Sequence, residues 1–479
     1  MSRSLKHYSW SAIQKLGTQI ISFIGNVLIA RQLSPDDYGL IAMLAIFMSI
    51  AMNFTESGFA DYLIRDANAT SKEFSIVFVH NLVFGVMFFL LLFSLAPLIA
   101  KFYERQEIIE ITRVLALNII LKALYLSEFT RMRKELEFKK LAIIQIISAA
   151  LSVSIGFTMA LDGWGYWALV AQILSMSFVS IIMIFVLNNW KPELYFDWNS
   201  YKVMRRFGNN MLISYFTNQI GANLYSVIIG KVYSSAILGF YNQAEKINKI
   251  GFQSINGVLL TTSYSLLAKE QDKTKRRGMY ITLLSHFVFV HLTISALLIT
   301  VAHPFIGLVF GVNWLPTVPF LKLILLSFIM QPLVTVNANI IKIENKPQLY
   351  RNLTFLRNGL MFIALVFTFN YGVSTMIIGQ IGARVVSALA DVLICGKYVG
   401  LFPKLQLSIF IKQLAVPFIS FALAYFSLLR LEPDSFFMKL FVSAIVYLVS
   451  LIILNLVLKN NTFIGILEKL NLLNRKIYE

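Results

Sequence analysis

The sequence has few of the residues on which soluble enzymes depend. Its single cysteine, Cys395, excludes an intrachain disulfide, and its five histidines are scattered along the chain. His286 and His291 are five residues apart, a spacing that does not favour a shared metal ion, so neither a metal site nor a cofactor is predicted. The chain has no Gly-x-x-x-x-Gly-Lys-Ser/Thr stretch, which excludes a built-in P-loop ATPase.

Long apolar runs dominate what is present. Hydrophobic residues make up 57% of the 479 positions, and runs of about 20 residues recur, each long enough to cross a bilayer as a helix. The sequence therefore predicts an all-α polytopic membrane protein. About 14 transmembrane helices are expected, at 10–30, 38–60, 76–98, 112–129, 141–161, 165–187, 207–230, 240–262, 279–301, 317–339, 353–371, 373–395, 410–430 and 436–458. No small-residue cleavage site follows the first run, so it is interpreted as a retained span and not as a signal peptide.

Acidic residues are scarce: 24 Asp and Glu stand against 42 Lys and Arg, a formal net charge of +18. Such an excess can indicate nucleic-acid binding, but its distribution points elsewhere. About 27 of the cations fall on the side of the predicted spans that carries both termini, and about five fall on the opposite side. This asymmetry is typical of a membrane protein with cytoplasmic termini. No nucleic-acid partner is expected.

A weak internal repeat lies about two hundred residues apart. Positions 29–42 align without a gap on 229–242, and both copies contain an apolar helix, a basic residue, a Ser-led turn and a glycine. The repeat predicts two six-helix lobes related by pseudo-two-fold symmetry, with a site between them. The predicted divisions are an N-terminal lobe at 1–187, a cytoplasmic interfacial linker at 188–206, a C-terminal lobe at 207–395, and two extra helices with a cytoplasmic amphipathic tail at 396–479.

Two adjacent carboxylates, Asp36 and Asp37, follow the first predicted span and could be mistaken for a glycosyltransferase pair. Helix capping explains them better. Ser34 is expected to be the N-cap, Pro35 the first helical residue, and the two acids members of the first turn.

Ionisable and amide side chains lie on helical stripes within the predicted spans. Charge in hydrocarbon is costly, so each such group is a candidate for function, whereas uncharged side chains can equally join helices by hydrogen bonds. Cations near a span end can instead extend to the interface, and Glu245 can simply neutralise Lys249 four residues on. The candidate substrate-binding cations of a central cavity are Arg384, Lys249, Lys246, Lys122, Lys15 and Arg357. The polar candidates, which include groups for ion coupling, are Glu56, Glu245, Asp391, Asn53, Gln19, Asn218, Gln253 and Gln380.

Three stretches resemble a known family. Ala-Arg-Gln-Leu-Ser-Pro-Asp-Asp-Tyr-Gly at 30–39, Glu-Ser-Gly-Phe-Ala-Asp at 56–61, and Phe-Gly-Val-Asn-Trp-Leu-Pro-Thr-Val-Pro at 310–319 are similar to patterns of the Wzx-type polysaccharide flippases. These belong to the multidrug/oligosaccharidyl-lipid/polysaccharide exporter superfamily. The family has no sharply defined catalytic motif whose residues could be assigned to positions in this chain. The candidate residues are therefore chosen only from the polar stripes.

The resemblance implies a non-enzymatic flippase that moves a polyprenyl-diphosphate-linked oligosaccharide, such as an O-antigen, capsule or exopolysaccharide repeat unit, to the outer leaflet of the bacterial inner membrane. Its implied partners are the lipid-linked glycan, membrane lipids, H⁺ or Na⁺ as coupling ion, and a polysaccharide polymerase with its chain-length regulator. Two alternatives stay open. One is a cation-coupled drug or metabolite antiporter, which would share the fold. The other is a membrane polysaccharide polymerase, which would need a large outer loop, whereas the predicted outer connections are short.

Overall fold

A computed structural model of the protein describes residues 3–188, 194–399 and 403–469; the side chains of 3–8, 210–211, 213–218, 220, 222, 253–262, 398–399 and 469 lie outside that description. The described residues form seventeen α-helices and one short 3-10 helix, and they contain no β-strand. The α-helices are α1 (Arg3–Ala30), α2 (Pro35–Glu56), α3 (Phe59–Arg65), α4 (Ser71–Tyr103), α5 (Glu107–Lys134), α6 (Phe138–Leu161), α7 (Tyr166–Asn188), α8 (Trp198–Val232), α9 (Ser235–Lys269), α10 (Lys273–Val309), α11 (Thr317–Ser327), α12 (Gln331–Ile343), α13 (Pro347–Thr368), α14 (Val373–Val399), α15 (Pro403–Leu431), α16 (Phe436–Val457) and α17 (Asn461–Lys469); the 3-10 helix is Val312–Trp314.

The predicted fold class is confirmed, because every predicted span falls largely on helix. Two spans are discontinuous: 38–60 runs across the α2–α3 junction, and 317–339 runs across the α11–α12 junction. Ten segments in the described part of the chain are long and apolar enough to cross a membrane. The count of 14 is therefore approximate: α5, α8, α9 and α13 are not among the ten, and they carry several of the predicted polar stripes.

The helices group by their contacts into two compact units, 1–242 and 243–479. In the first unit α4 packs along α5, and α6 packs between α1 and α7. In the second unit α14 packs against α11, α12 and α13, whereas α10 packs against α15 and α16. The final two long helices are therefore part of the second unit, where the Tyr447 hydroxyl donates to the Thr293 carbonyl at 2.8 Å. The predicted lobe boundaries at 187 and 207 stay a prediction.

The two copies of the sequence repeat contact each other within the first unit. We call this contact the hairpin crossing, formed by residues 30–40 and 230–240. A Cβ atom on Gly39 would overlap the Ser235 carbonyl oxygen, and one on Gly239 would overlap the Pro35 carbonyl oxygen. Because 35 aligns with 235 and 39 with 239, the two close approaches are related by the repeat. Each glycine is required there because no side-chain atom fits between the two backbones.

The first turn of α2 confirms the predicted capping. Ser34 Oγ accepts from the Asp37 amide at 3.3 Å, and Asp37 Oδ2 accepts from the Ser34 amide at 2.9 Å, which makes a reciprocal capping box. Pro35 is the first helical residue. Asp36 has a further role that the sequence did not indicate, because it binds Arg105, 69 positions later, at 2.9 Å.

Candidate functional site

The candidate site lies where the tenth predicted span breaks. Helix α11 ends at Ser327, three residues form turns, and α12 starts at Gln331 with a proline in its first turn. A break inside apolar helix frees backbone groups that must be satisfied within the protein. His291 Nε2 donates to the Phe328 carbonyl at 2.9 Å, which satisfies one of them. This contact gives His291 a structural role at the break.

A polar cavity of about 160 Å³ lies beside this break. It is enclosed by the break itself and by the middles of α13 and α14, all within the second unit. Two predicted cations, Arg357 and Arg384, line it together. The other lining residues are Ser327, Met330, Gln331, Val334, Asn358, Met361, Ser387 and Ala388. The cavity therefore combines two guanidinium groups with amides, hydroxyls and apolar side chains.

The two arginines are held in different ways. The Arg384 guanidinium lies over the Phe328 ring, 3.7 Å from its centroid. Such stacking fixes the plane of the guanidinium group. Arg357 Nε lies 3.6 Å from Asp391 Oδ2, which is an ion pair but too long for a hydrogen bond. The Nε and Nη2 atoms of Arg357 are buried without a hydrogen-bond partner, as are both Asp391 carboxylate oxygens.

The depth of Arg357 differs from the sequence-based expectation. The predicted span 353–371 placed this residue close to the cytoplasmic end of its helix. Helix α13 instead starts at Pro347, so Arg357 is its eleventh residue of 22, roughly 15 Å along the axis at 1.5 Å per residue. Arg384 is likewise near the middle of α14. Neither guanidinium is therefore close to a helix end.

The remaining predicted residues of the second unit lie elsewhere. Lys249 Nζ binds Glu245 Oε2 at 3.0 Å, the neutralising pair expected from their spacing. Lys246 is exposed on the same helix, α9. Gln380 is buried one turn before Arg384 and does not line the cavity. The side chain of Gln253 lies outside the described residues.

In the first unit, the predicted residues occur on four helices, α1, α2, α5 and α8. Glu56, the last residue of α2, is near enough to Lys122 on α5 to attract it electrostatically. Asn53 is one turn before Glu56, and its buried Nδ2 has no hydrogen-bond partner. On α1, Lys15 is exposed and Gln19 is half-buried. The side chain of Asn218 lies outside the described residues. The shared central cavity between two lobes stays a prediction.

A second charged cluster joins the hairpin crossing to the α4–α5 turn. Arg105 binds Asp36 and, at 2.7 Å, donates to the Ser235 hydroxyl, which also contacts Asp36. Hydrogen bonds to the Asp36 and Glu107 carboxylates raise the pKa of Arg105 above its usual value. The cluster ties the two copies of the repeat through one guanidinium.

Sequence reasoning missed the break and the groups next to it. Asn358 and Ser327 line the cavity but were not among the candidates. One signal was present: Pro332 follows the break by two residues, and proline favours the first turn of a helix. The uninterrupted apolar run masked this signal.

Comparison with solved structures places the fold in a class of membrane proteins. The chain superposes on the lipid II flippase MurJ with a TM-score of 0.75 at 14% identity, over 94% of this chain and 99% of that one. It also superposes on a multidrug resistance MATE family transporter of the MOP superfamily, with a TM-score of 0.63 at 15% identity, over 81% of this chain and 98% of that one. The molecule is thus a polytopic, all-helical membrane protein with the MurJ/MATE-like fold.

Comparison of sequences gives the family. A model described as "Polysaccharide biosynthesis protein" matches residues 28–319, and the chain belongs to that family. Among curated relatives, the teichuronic acid biosynthesis protein TuaB of Bacillus subtilis is 26% identical over 71% of both chains. The lipopolysaccharide biosynthesis protein WzxC of Escherichia coli is 23% identical over 67% of this chain and 66% of its own. The resemblance seen in the sequence is confirmed.

Proposed function

We propose that the protein is a flippase that moves a polyprenyl-diphosphate-linked oligosaccharide from the cytoplasmic to the outer leaflet of a bacterial cytoplasmic membrane. The observation that carries the proposal is the cavity at the α11–α12 break, which Arg357 and Arg384 line from near the middles of α13 and α14. Discontinuous helices with polar linings are typical of substrate sites in transporters. Membership of the polysaccharide biosynthesis family supports a glycan as cargo.

The physical chemistry of such a substrate matches the chain. A diphosphate crossing hydrocarbon needs cations to offset its lost hydration, and the lysine and arginine side chains on the polar stripes are groups that bind phosphate oxygens. Amide and hydroxyl side chains on the polar stripes supply hydrogen bonds for sugar hydroxyls. The lipid tail, which is apolar, has no reason to leave the bilayer. In this proposal, the candidate residues on the polar stripes of both units bind the diphosphate and the sugar hydroxyls.

The membrane potential supports the proposed direction of transport. With the termini in the cytoplasm, an inside-negative potential favours outward movement of an anion by about 2.3 kcal/mol per charge per 100 mV. The proposed mechanism is rocking of the two predicted lobes about a midplane site. If H⁺ or Na⁺ is coupled, Glu56, Glu245 and Asp391 are the proposed carboxylates.

Deletion of the gene with complementation tests the function. The deletion strain is scored for surface glycan and for the leaflet in which lipid-linked precursor accumulates, and is complemented with wild type, Arg384→Ala or Lys249→Ala at matched expression. The expected result is loss of surface glycan, precursor confined to the inner leaflet, rescue by wild type and failure of Arg384→Ala.

Other results would contradict the proposal. Precursor that reaches the outer leaflet but is never polymerised would indicate a polymerase. Normal glycan together with altered drug or metabolite export would indicate an antiporter.

A further inference from the structure

The cavity at the α11–α12 break has a charge balance that limits its ligand. The described charged side chains that line or touch it are Arg357, Arg384 and Asp391. Two guanidinium groups and one carboxylate leave one net positive charge. A ligand with a single negative charge would bring the site to neutrality, whereas a dianion would lie near the fixed charge of Asp391 with nothing further to compensate it. Within a low-dielectric surrounding this difference is large.

The donors of the cavity fit one planar oxyanion. Arg357 has buried N–H groups without a hydrogen-bond partner, and buried donors of this kind are costly unless a ligand or water accepts from them. Stacking on Phe328 holds the plane of Arg384. Guanidinium groups bind carboxylates through two parallel hydrogen bonds.

The rest of the lining fits a sugar ring that carries such a group. Gln331, Asn358 and Ser387 offer amide and hydroxyl groups for ring hydroxyls, while Met361 and Val334 offer apolar surface for the C–H face. The volume of about 160 Å³ is well above the ~10–15 Å³ that a single water molecule requires. This is enough space for a carboxylate and the edge of the ring that bears it.

We propose that this cavity is a subsite for the carboxylate of an acidic sugar in the transported glycan, and that Arg357 and Arg384 select substrates with that group. The inference rests on the proposed flippase function and deepens it, because it names a chemical class within the glycan head group. In this assignment the lipid diphosphate is neutralised by other cations of the polar stripes. Asp391 positions Arg357 and keeps the site selective for a monoanion.

Full-length protein in proteoliposomes tests the assignment. Three prenyl-diphosphate-linked disaccharides serve as probes, differing only in a terminal glucuronate, its methyl ester or glucose; the ester keeps the shape and removes the charge. Transport is measured as exposure of the terminal sugar on the opposite face of the bilayer. The wild type is expected to prefer the glucuronate over its ester by about 10-fold or more, the range of a charge-assisted hydrogen bond.

The variants separate charge, geometry and folding. Arg357→Lys and Arg384→Lys keep the charge but lose the fork, so the preference should fall several-fold, and Arg384→Gln should abolish it. Because Arg357→Gln would leave Asp391 unpaired, the double variant Arg357→Gln/Asp391→Asn removes the pair together and should also abolish it. Arg351→Gln, an exposed cation on the same helix as Arg357, is the matched control and should retain the preference.

Each outcome decides between distinct conclusions. If wild type moves all three probes at one rate, the carboxylate subsite is refuted and the flippase function stands. If the arginine variants slow every probe equally, the cavity serves the diphosphate common to all of them, and the assignment is overturned. If folded wild type moves none of the probes, the proposed flippase function itself fails.

Discussion

Gly239 provides the sharpest test of the hairpin crossing, because the structure leaves no space for one added methyl group. Its Cβ position is blocked by the carbonyl oxygen of Pro35, a backbone atom that cannot rotate away. Replacement by alanine would gain about 1 kcal/mol of helix propensity. Overpacking costs ~1–3 kcal/mol, and a backbone obstacle places this site at the upper end of that range. The net expectation for Gly239→Ala is a loss of about 2 kcal/mol in the free energy of unfolding.

The control is Gly278→Ala, in helix α10, where no atom lies within 4 Å of the added Cβ. It should be neutral or more stable by up to about 1 kcal/mol, since only helix propensity changes. Both variants are compared with wild type by SDS-induced unfolding in mixed micelles. Gly39→Ala should match Gly239→Ala, because the repeat relates the two sites. Equal free energies of unfolding for Gly239→Ala and Gly278→Ala would refute the close crossing of the two hairpins.

Three further predictions concern polar groups away from the cavity. Glu128 is 1% exposed and accepts from the partly exposed Arg131 at 2.6 Å. Glu128→Ala should lower the free energy of unfolding by ~2 kcal/mol, because charge-assisted hydrogen bonds are lost, and a loss below ~0.5 kcal/mol in the same micelle assay would contradict this. The Tyr280 hydroxyl donates to Asn337 Oδ1 at 2.5 Å inside the second unit, so Tyr280→Phe should lose about 1–2 kcal/mol, and an unchanged midpoint would argue against the bond. A hydrogen bond from Lys231 lowers the pKa of exposed Glu104 below its ordinary value of 4.5. The stability that this carboxylate adds is therefore present above pH 4.5 and is lost as the pH falls through the lowered pKa. The difference in unfolding free energy between wild type and Glu104→Gln should vanish in acid, and a difference that persists there would refute the pairing.

The local features of the fold could be predicted from the sequence. The apolar runs gave the helices, and Ser34 with Pro35 gave the start of α2, because capping depends on residues three positions apart. The pairing of Glu245 with Lys249 followed from helical spacing in the same way. Each of these features is determined within one or two helical turns.

The details of the candidate site could be predicted only in part. Arg357, Arg384 and Asp391 were chosen individually, since charges within apolar runs are unusual. Their convergence on one cavity depends on how α13 and α14 pack beside the α11–α12 break. The sequence placed Arg357 too near a helix end because polar residues at the start of α13 obscured where the helix begins.

The sequence by itself therefore determined an all-helical membrane protein, the ends of many helices, the repeat and the set of intramembrane charges, because hydrophobic length, capping and helical period act locally. The tertiary structure alone decided which charges meet. It placed Asp36 against Arg105, brought Gly39 and Gly239 into the hairpin crossing, and set two guanidinium groups around one cavity. Such contacts join residues far apart in the chain, and their partners are selected by the packing of whole helices, which no local pattern encodes.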